Sequence, residues 1–81
     1  PNPVRPDYTG PITITGLSYD ADVKIVTVDG TLVHQGRSLG GSYTWDGRDR
    51  QGRRVAGGVY SVLTATNDGR KGTVCKIAIV R

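Results

Sequence analysis

The chain has 81 residues, a formal net charge of +4, one Cys and one His. A domain of this size buries only about 60–65% of the surface that its unfolded chain exposes, so we expect a single domain. One Cys excludes an internal disulfide, and one Cys with one His is too few nitrogen and sulfur ligands for a zinc site. The positive charge allows weak attraction to polyanions but selects none of them. No apolar run reaches transmembrane length, so no membrane insertion is predicted.

The residue types favour β-structure. The apolar side chains are mainly Val and Ile, accompanied by many Thr, whereas Glu, Met and Phe are absent. β-branched residues suit a pleated strand, and Glu and Met are good helix formers. Three of the seven Asp residues directly precede Gly, which is typical of tight turns. We therefore expect an all-β chain.

Taken in order, the predicted elements are an extended segment followed by short strands. Residues 1–10 contain three prolines and predict an extended linker. Strand patterns with turn signals between them are found at 11–15, 22–28, 31–38, 42–45, 59–66 and 72–80, with a brief edge strand at 53–55. Turn signals about every ten residues favour an immunoglobulin-like antiparallel β-sandwich of about seven strands. This sandwich is expected to occupy residues 11–81.

The segment 45–60, WDGRDRQGRRVAGGVY, combines the single Trp with two turn signals and a Gly-Gly break. Trp45 precedes the first turn, where its ring can close the open end of a two-layer core. The loop also carries four arginines, namely Arg48, Arg50, Arg53 and Arg54. Because guanidinium groups suit phosphate and carboxylate ligands, an anion patch is one interpretation. The other is a solvated turn in which two of the arginines pair with Asp46 and Asp49.

The groups needed for catalysis are few, and neither enzyme activity nor a cofactor is predicted. His34 is expected to be a solvated strand residue rather than a base. Cys75 alternates with apolar residues and is expected to be a small buried hydrophobe. Asp46 and Asp49 have arginine between and after them, which argues against a calcium loop. The arginines have no aromatic neighbour other than Trp45, so nucleic-acid binding is not predicted.

Several short motifs follow one another in an order that resembles a known family. They are Asn2-Pro3, Val23-Lys24-Ile25, Asp29-Gly30-Thr31-Leu32-Val33, Trp45-Asp46-Gly47-Arg48-Asp49, Gly58-Val59-Tyr60, and Lys76-Ile77 through Arg81. This order resembles the C-terminal sorting domains of the type IX secretion system of Bacteroidetes, and the related immunoglobulin-like domain of the flagellar hook-capping protein. The PNPV start with the WDGRD and GVY motifs is most similar to the C-terminal domain of PorZ-like β-propeller surface proteins.

The resemblance implies a seven-stranded sandwich that acts as an address. Proteins of the translocon recognise such a domain in the periplasm and direct its parent through the outer membrane to the cell surface. In many members the domain is then removed and the cargo is attached to anionic lipopolysaccharide, whereas PorZ-like proteins retain it and join an attachment complex. The implied signal positions are Pro1, Asn2, Pro3, Gly30, Gly58, Tyr60, Lys76, Ile77 and Arg81. Val26 and Thr31 depart from the family, which usually has Tyr or Phe at the first position and Arg at the second.

A terminal edge strand can be captured by strand addition to a partner sheet. We expect residues 72–81 to present such an edge, and a sorting domain is also expected to end its parent chain. One alternative is an immunoglobulin-like spacer of a multidomain surface or periplasmic protein that has no transport role. A less favoured alternative is a carbohydrate-binding sandwich that uses Tyr8, Tyr19 and Tyr43.

Overall fold

Six β-strands build the fold of residues 2–81, the residues that this computed structural model describes, apart from the side chains at 73 and 74. The strands are β1 (Ile12–Ile14), β2 (Ala21–Val26), β3 (Leu32–Arg37), β4 (Tyr43–Trp45), β5 (Gly58–Thr66) and β6 (Lys71–Ile79). Each matches a predicted strand to within two residues at either end. Pro1, one of the implied signal positions, lies outside the described residues.

The strands form two antiparallel sheets. The larger sheet has the order β3-β2-β5-β6, and β1 pairs with β4 in a second sheet. A seventh extended segment lies beside β6, where Val4 makes a parallel bridge to Ile79. The edge strand predicted at 53–55 is reduced to a single bridge between Arg48 and Arg54. The predicted all-β sandwich of about seven strands is confirmed, and its seventh member comes from the residues expected to be a linker.

Strand β2 illustrates why this sequence forms a sheet with one buried face. Ala21, Val23 and Ile25 are fully buried, whereas the intervening Asp22 and Lys24 are exposed. This alternation follows from side chains that point to opposite faces of a strand at successive positions. Burial of each large apolar side chain contributes about 1.5–3 kcal/mol, so the inner face of the sheet is the main source of stability.

Trp45 lies fully buried among the core side chains, as the sequence predicts. Its ring meets Tyr60 edge-on with 6.0 Å between the centroids, a favourable aromatic geometry. The indole Nε1–H donates to the Arg48 carbonyl at 2.9 Å, which satisfies the one polar atom of the ring. The tryptophan therefore ties the arginine loop to the core.

His34 is half-buried on the inner face of the sheet, so it is less solvated than the sequence predicts. The register of β2 and β3 places His34 opposite the buried Ile25, on the inner face of the sheet. Its Nε2 lies 2.6 Å from the Tyr43 hydroxyl, and its ring centroid lies 6.1 Å from that of Trp45. Tyr43 approaches β3 closely because Gly36 has no side chain, and a Cβ atom there would overlap the Tyr43 ring.

Ser38 joins the end of β3 to the chain that leads into β2. Its side chain is fully buried. The Oγ–H donates to the Ser18 carbonyl at 2.9 Å, and Oγ accepts the Ala21 N–H at 3.0 Å. The Ala21 N–H is buried and would be costly to leave unpaired, so this hydroxyl stabilises the connection between β3 and the chain before β2.

Candidate functional site

The N-terminal residues lie along the outer edge of β6. The Asn2 Nδ2–H donates to the Lys76 carbonyl at 2.7 Å, and Asn2 Oδ1 accepts the Ala78 N–H at 3.1 Å. The Val4 N–H donates to the Ala78 carbonyl, and the Val4 carbonyl accepts the Val80 N–H, both at 2.7 Å. The Asn2 side chain therefore takes the place of a backbone amide. We call residues 2–4 the strap.

The strap covers the edge that the sequence led us to expect as exposed, so that prediction is wrong for residues 76–80. Two features hold the strap in place. Val4 is only 4% exposed and packs in the core, and the amide of Asn2 satisfies one donor and one acceptor of β6. The hydrogen bonds of the strap begin at the Lys76 carbonyl, so they leave the earlier part of β6, residues 71–75, uncovered.

The implied signal positions on the two chain ends and on β5 meet at this edge. Pro3 lies within the strap, and Asn2 contacts Lys76 directly. The register of β5 and β6 places Gly58 opposite Ile79, and Tyr60 opposite Ile77. Segments far apart in the sequence thus form one end of the larger sheet.

Gly30 lies in the turn between β2 and β3, beside the same end of the sheet. Its φ of 90° is a backbone conformation that glycine adopts without strain. The Gly30 N–H donates to the Thr27 carbonyl at 3.0 Å and closes the turn. Residues 27–29 of this turn and residues 57–60 line a common hollow of about 310 Å³. The structure therefore brings Gly30 into the neighbourhood of Gly58.

Two of these positions are buried. Tyr60 is 6% exposed and its hydroxyl donates to the Ala56 carbonyl at 2.6 Å, while Ile77 is 3% exposed. Burial raises the pKa of the Tyr60 phenol, and the positive charge of Arg81 acts in the opposite direction. These two side chains support the surface through their packing in the core. The exposed positions are Asn2, Pro3, Lys76 and Arg81.

Two of the four arginines of the loop lie together, and the other two lie apart from them. Arg48 and Arg54 face each other across an antiparallel bridge, and both line a hollow next to the strap. Arg53 instead pairs with Asp49, with 3.7 Å between Nε and Oδ2, and it donates to the Gln51 side chain. Arg50 is exposed and does not line the hollow that contains Arg48 and Arg54.

The two loop carboxylates act mainly on the backbone. Asp49 accepts the Arg53 and Gln51 N–H groups at 3.0 and 2.9 Å, and chiefly the first of these bonds lowers the pKa of its carboxyl. The predicted pairing of Asp49 with an arginine is confirmed. The corresponding prediction for Asp46 is wrong, because its Oδ1 accepts the backbone N–H of Arg48 at 3.0 Å and closes the turn.

A third arginine joins Arg48 and Arg54 at the hollow, and sequence reasoning missed it. Arg81 lines the same cavity of about 180 Å³. Its Nε–H and Nη2–H donate to the Val55 carbonyl at 3.1 and 3.0 Å, which fixes the guanidinium beside the loop. No local pattern could reveal this neighbour, since Arg81 lies in a different part of the sequence.

Other chemistry has little support among the described residues. Within residues 2–81 no group of three or more His, Cys, Asp and Glu side chains could hold a metal ion. The same part of the chain contains no helix long and apolar enough to span a membrane. Cys75 is half-buried against the core, as expected of a small hydrophobe, and burial raises the pKa of its thiol.

The three tyrosines considered for carbohydrate binding do not share one exposed surface. Tyr19 is 77% exposed. Tyr8 and Tyr43 are half-buried against the core, and the Tyr43 hydroxyl is engaged with His34. This arrangement weakens the carbohydrate alternative, because a sugar-binding face needs exposed aromatic rings.

Comparison with known proteins gives matches among solved structures alone. No protein-family model matches the chain, and no curated protein does. The structure of PorZ, an essential bacterial surface component of the type IX secretion system of Porphyromonas gingivalis, matches with a TM-score of 0.87 and 35% identity. That match covers 100% of this chain and 11% of PorZ, so the chain spans about a ninth of that protein.

Two structures of FlgD also match. The protein from P. aeruginosa has a TM-score of 0.51 and 23% identity, and the match covers 84% of this chain and 60% of that one. FlgD from Xanthomonas campestris, described in terms of hook capping in flagellar assembly, has a TM-score of 0.53 and 24% identity, with coverage of 84% and 56%. The chain therefore shares its β-fold with FlgD, and over its whole length it is similar to a segment of a type IX secretion-system surface protein.

Proposed function

We propose that this chain is a non-catalytic recognition domain that directs a parent protein through the outer membrane by the type IX secretion system, or anchors it there. The observation that carries the proposal is the similarity to PorZ over the full length of the chain at 35% identity. On this proposal the parent passes through the periplasm and reaches the cell surface. Its partners are proteins of the translocon or of the attachment complex, and the net charge of +4 suits anionic lipopolysaccharide as a further one.

The strap changes how such a partner would bind. Capture of β6 by strand addition requires unpaired backbone groups, and residues 76–80 already give theirs to Asn2 and Val4. We therefore propose that the partner recognises the terminal face as a folded surface. This face consists of the strap, residues 76–81 and the turn that contains Gly30.

A fusion experiment tests this function. A signal peptide and a fluorescent protein are placed ahead of residues 1–81 and expressed in a bacterium that has a type IX system. Surface fluorescence that is lost in a translocon mutant is expected. Folded fusion protein that stays in the periplasm would count against the sorting role.

Two variants show whether the terminal face is what the machinery recognises. Asn2→Ala removes two of the contacts that hold the strap and should reduce the surface fraction. Gln35→Ala removes an exposed amide of the same kind from β3, at the opposite edge of the sheet, and should leave the surface fraction unchanged. Circular dichroism of both purified variants verifies that they are folded.

A structural spacer is the second candidate, and the covered edge of β6 favours it. A domain that only separates its neighbours benefits from an edge that cannot pair with other chains. This candidate predicts that the fusion stays in the periplasm, and that replacing the domain by another sandwich of similar length preserves the activity of the parent. The fusion experiment therefore separates the two candidates.

A further inference from the structure

We propose that Arg48, Arg54 and Arg81 form a binding site for one phosphate-like oxyanion group, in the hollow between the strap and the arginine loop. The inference does not depend on the sorting role, because it rests on the placement of three arginines around one hollow. It also differs from the patch suggested by the sequence, which included Arg50 and Arg53 and lacked Arg81.

The backbone of the loop brings the first two arginines together. Residues directly opposite in an antiparallel pair place their side chains on the same face, with about 4.5–5.5 Å between Cβ atoms. Arg48 and Arg54 are such a pair. Bonds on either side of the bridge hold its geometry, from the Val55 N–H to the Gly47 carbonyl at 3.1 Å and from the Asp49 N–H to the Arg53 carbonyl at 2.7 Å.

The three guanidinium groups keep donors available for a ligand. The described residues offer the Arg54 side chain neither an ion pair nor a hydrogen bond. Arg48 gives Nη1–H to the Gly52 carbonyl at 3.0 Å, and Arg81 gives Nε–H and Nη2–H to the Val55 carbonyl. Since a guanidinium has five N–H donors, Arg48 and Arg81 are held in place by these bonds and still have donors for a ligand, and within the described part of the chain Arg54 has all five of its donors available.

The charge and size of the hollow define the class of ligand. Asp46 is the one carboxylate in the lining, so three positive side chains face one negative side chain. The hollow has a volume of about 180 Å³, which is room for a single oxyanion with some of its hydration. Donors from three arginines suit a tetrahedral anion better than a planar carboxylate, which presents only two oxygens.

The test is a titration of the protein with inorganic phosphate, followed by NMR at constant ionic strength. We expect the Nε–H signals of the three arginines to shift and to reach saturation as phosphate is added. The amide signals of Gly10 and Gly47, which line the hollow, should behave in the same way. Arg54→Gln should weaken phosphate binding by about tenfold, which corresponds to about 1.4 kcal/mol, because it removes charged donors to the anion. Shifts that keep growing without saturation would show that phosphate associates nonspecifically with the charged surface, and the proposed site would be refuted.

Arg50→Gln is the matched control, because it removes one positive charge from the same loop without touching the hollow. Its dissociation constant should stay within about twofold of the wild type, and an effect equal to that of Arg54→Gln would overturn the proposal by showing a general charge effect. Acetate should bind more weakly than phosphate at the same site, and equal binding would contradict the tetrahedral specificity. Arg54→Lys, which keeps the charge and loses the fork, should bind with intermediate affinity and shows that the loop tolerates substitution at this position.

Discussion

The side-chain amide of Asn2 supplies two of the four hydrogen bonds that hold the strap. The substitution Asn2→Ala measures how much these two bonds contribute to the free energy of unfolding. A hydrogen bond contributes a net 0.5–1.5 kcal/mol, and groups near the surface fall at the low end because water replaces the lost partner. Asn2 is exposed, so we expect a total loss of about 1 kcal/mol in the free energy of unfolding. For a domain of this length, that loss lowers the melting temperature by about 4–8 °C.

Amide hydrogen exchange locates the effect. The Ala78 N–H donates to the Asn2 side chain, and the Val80 N–H donates to the strap backbone. In Asn2→Ala we expect the Ala78 amide to lose nearly all of its local protection and the Val80 amide to lose part of it. The amide of Val62, in the centre of the sheet, should change only as much as global stability does.

Asn2→Asp separates the two bonds. An aspartate keeps the oxygen that accepts the Ala78 N–H but loses the donor to the Lys76 carbonyl, so protection of the Ala78 amide should persist while stability falls. Gln35→Ala should match the wild type in both measurements. If Asn2→Ala leaves both the melting temperature and the Ala78 exchange rate unchanged, the side chain does not hold the strap and our reasoning is refuted.

Three further predictions concern the rest of the fold. Ser38→Ala leaves the buried Ala21 N–H and the Ser18 carbonyl without their partner and should lower the free energy of unfolding by about 1–3 kcal/mol, measured by urea denaturation, whereas a change below about 0.5 kcal/mol would contradict this. Gly36→Ala forces the Tyr43 ring away from β3 and should destabilise by about 1–3 kcal/mol, with shifted Tyr43 ring signals in NMR as the check. The Thr66 hydroxyl is the main cause that lowers the pKa of the Asp68 carboxyl to about 2. Since this folded-state pKa lies below the unfolded value of about 3.9, the stabilisation is present above pH 4 and is lost as the pH falls towards 2. The difference in free energy of unfolding between wild type and Asp68→Asn should therefore become smaller as the pH falls from about 4 to about 2. A difference that stays constant over this range would show that the Asp68 carboxylate does not stabilise the fold.

The sequence predicted well those features that depend on neighbouring residues. The alternation of β2, from Ala21 to Ile25, is visible in the residue types and reappears in the burial. The sequence predicts that the second strand extends to residue 28, whereas β2 ends at Val26 because Thr27 belongs to the turn. Its hydroxyl donates to Asp29 and its carbonyl accepts the Gly30 N–H, so polar bonds within the turn prevail over the strand propensity of this β-branched residue.

Features that join distant residues could not be predicted in this way. Asn2 and Lys76 are separated by 74 positions. The Pro-rich segment at the start of the chain has the composition of a linker, and only its position beside β6 in the folded chain makes it part of the sheet. The orientation of His34 depends on its register partner Ile25, and the third arginine of the hollow, Arg81, lies just beyond the end of β6. Alternation along one segment carries no information about which segment lies opposite.

The strap runs parallel to β6, and this direction determines how the domain responds to tension. In a parallel pair the chain before Asn2 and the chain after Val80 leave at opposite ends of the shared ladder. A force that pulls these two ends apart therefore loads all four hydrogen bonds at once, in shear. In an antiparallel pair the same force would break the hydrogen bonds one after another, starting at one end of the ladder. The four hydrogen bonds of the strap thus link the two ends of the domain in a way that resists their separation under tension.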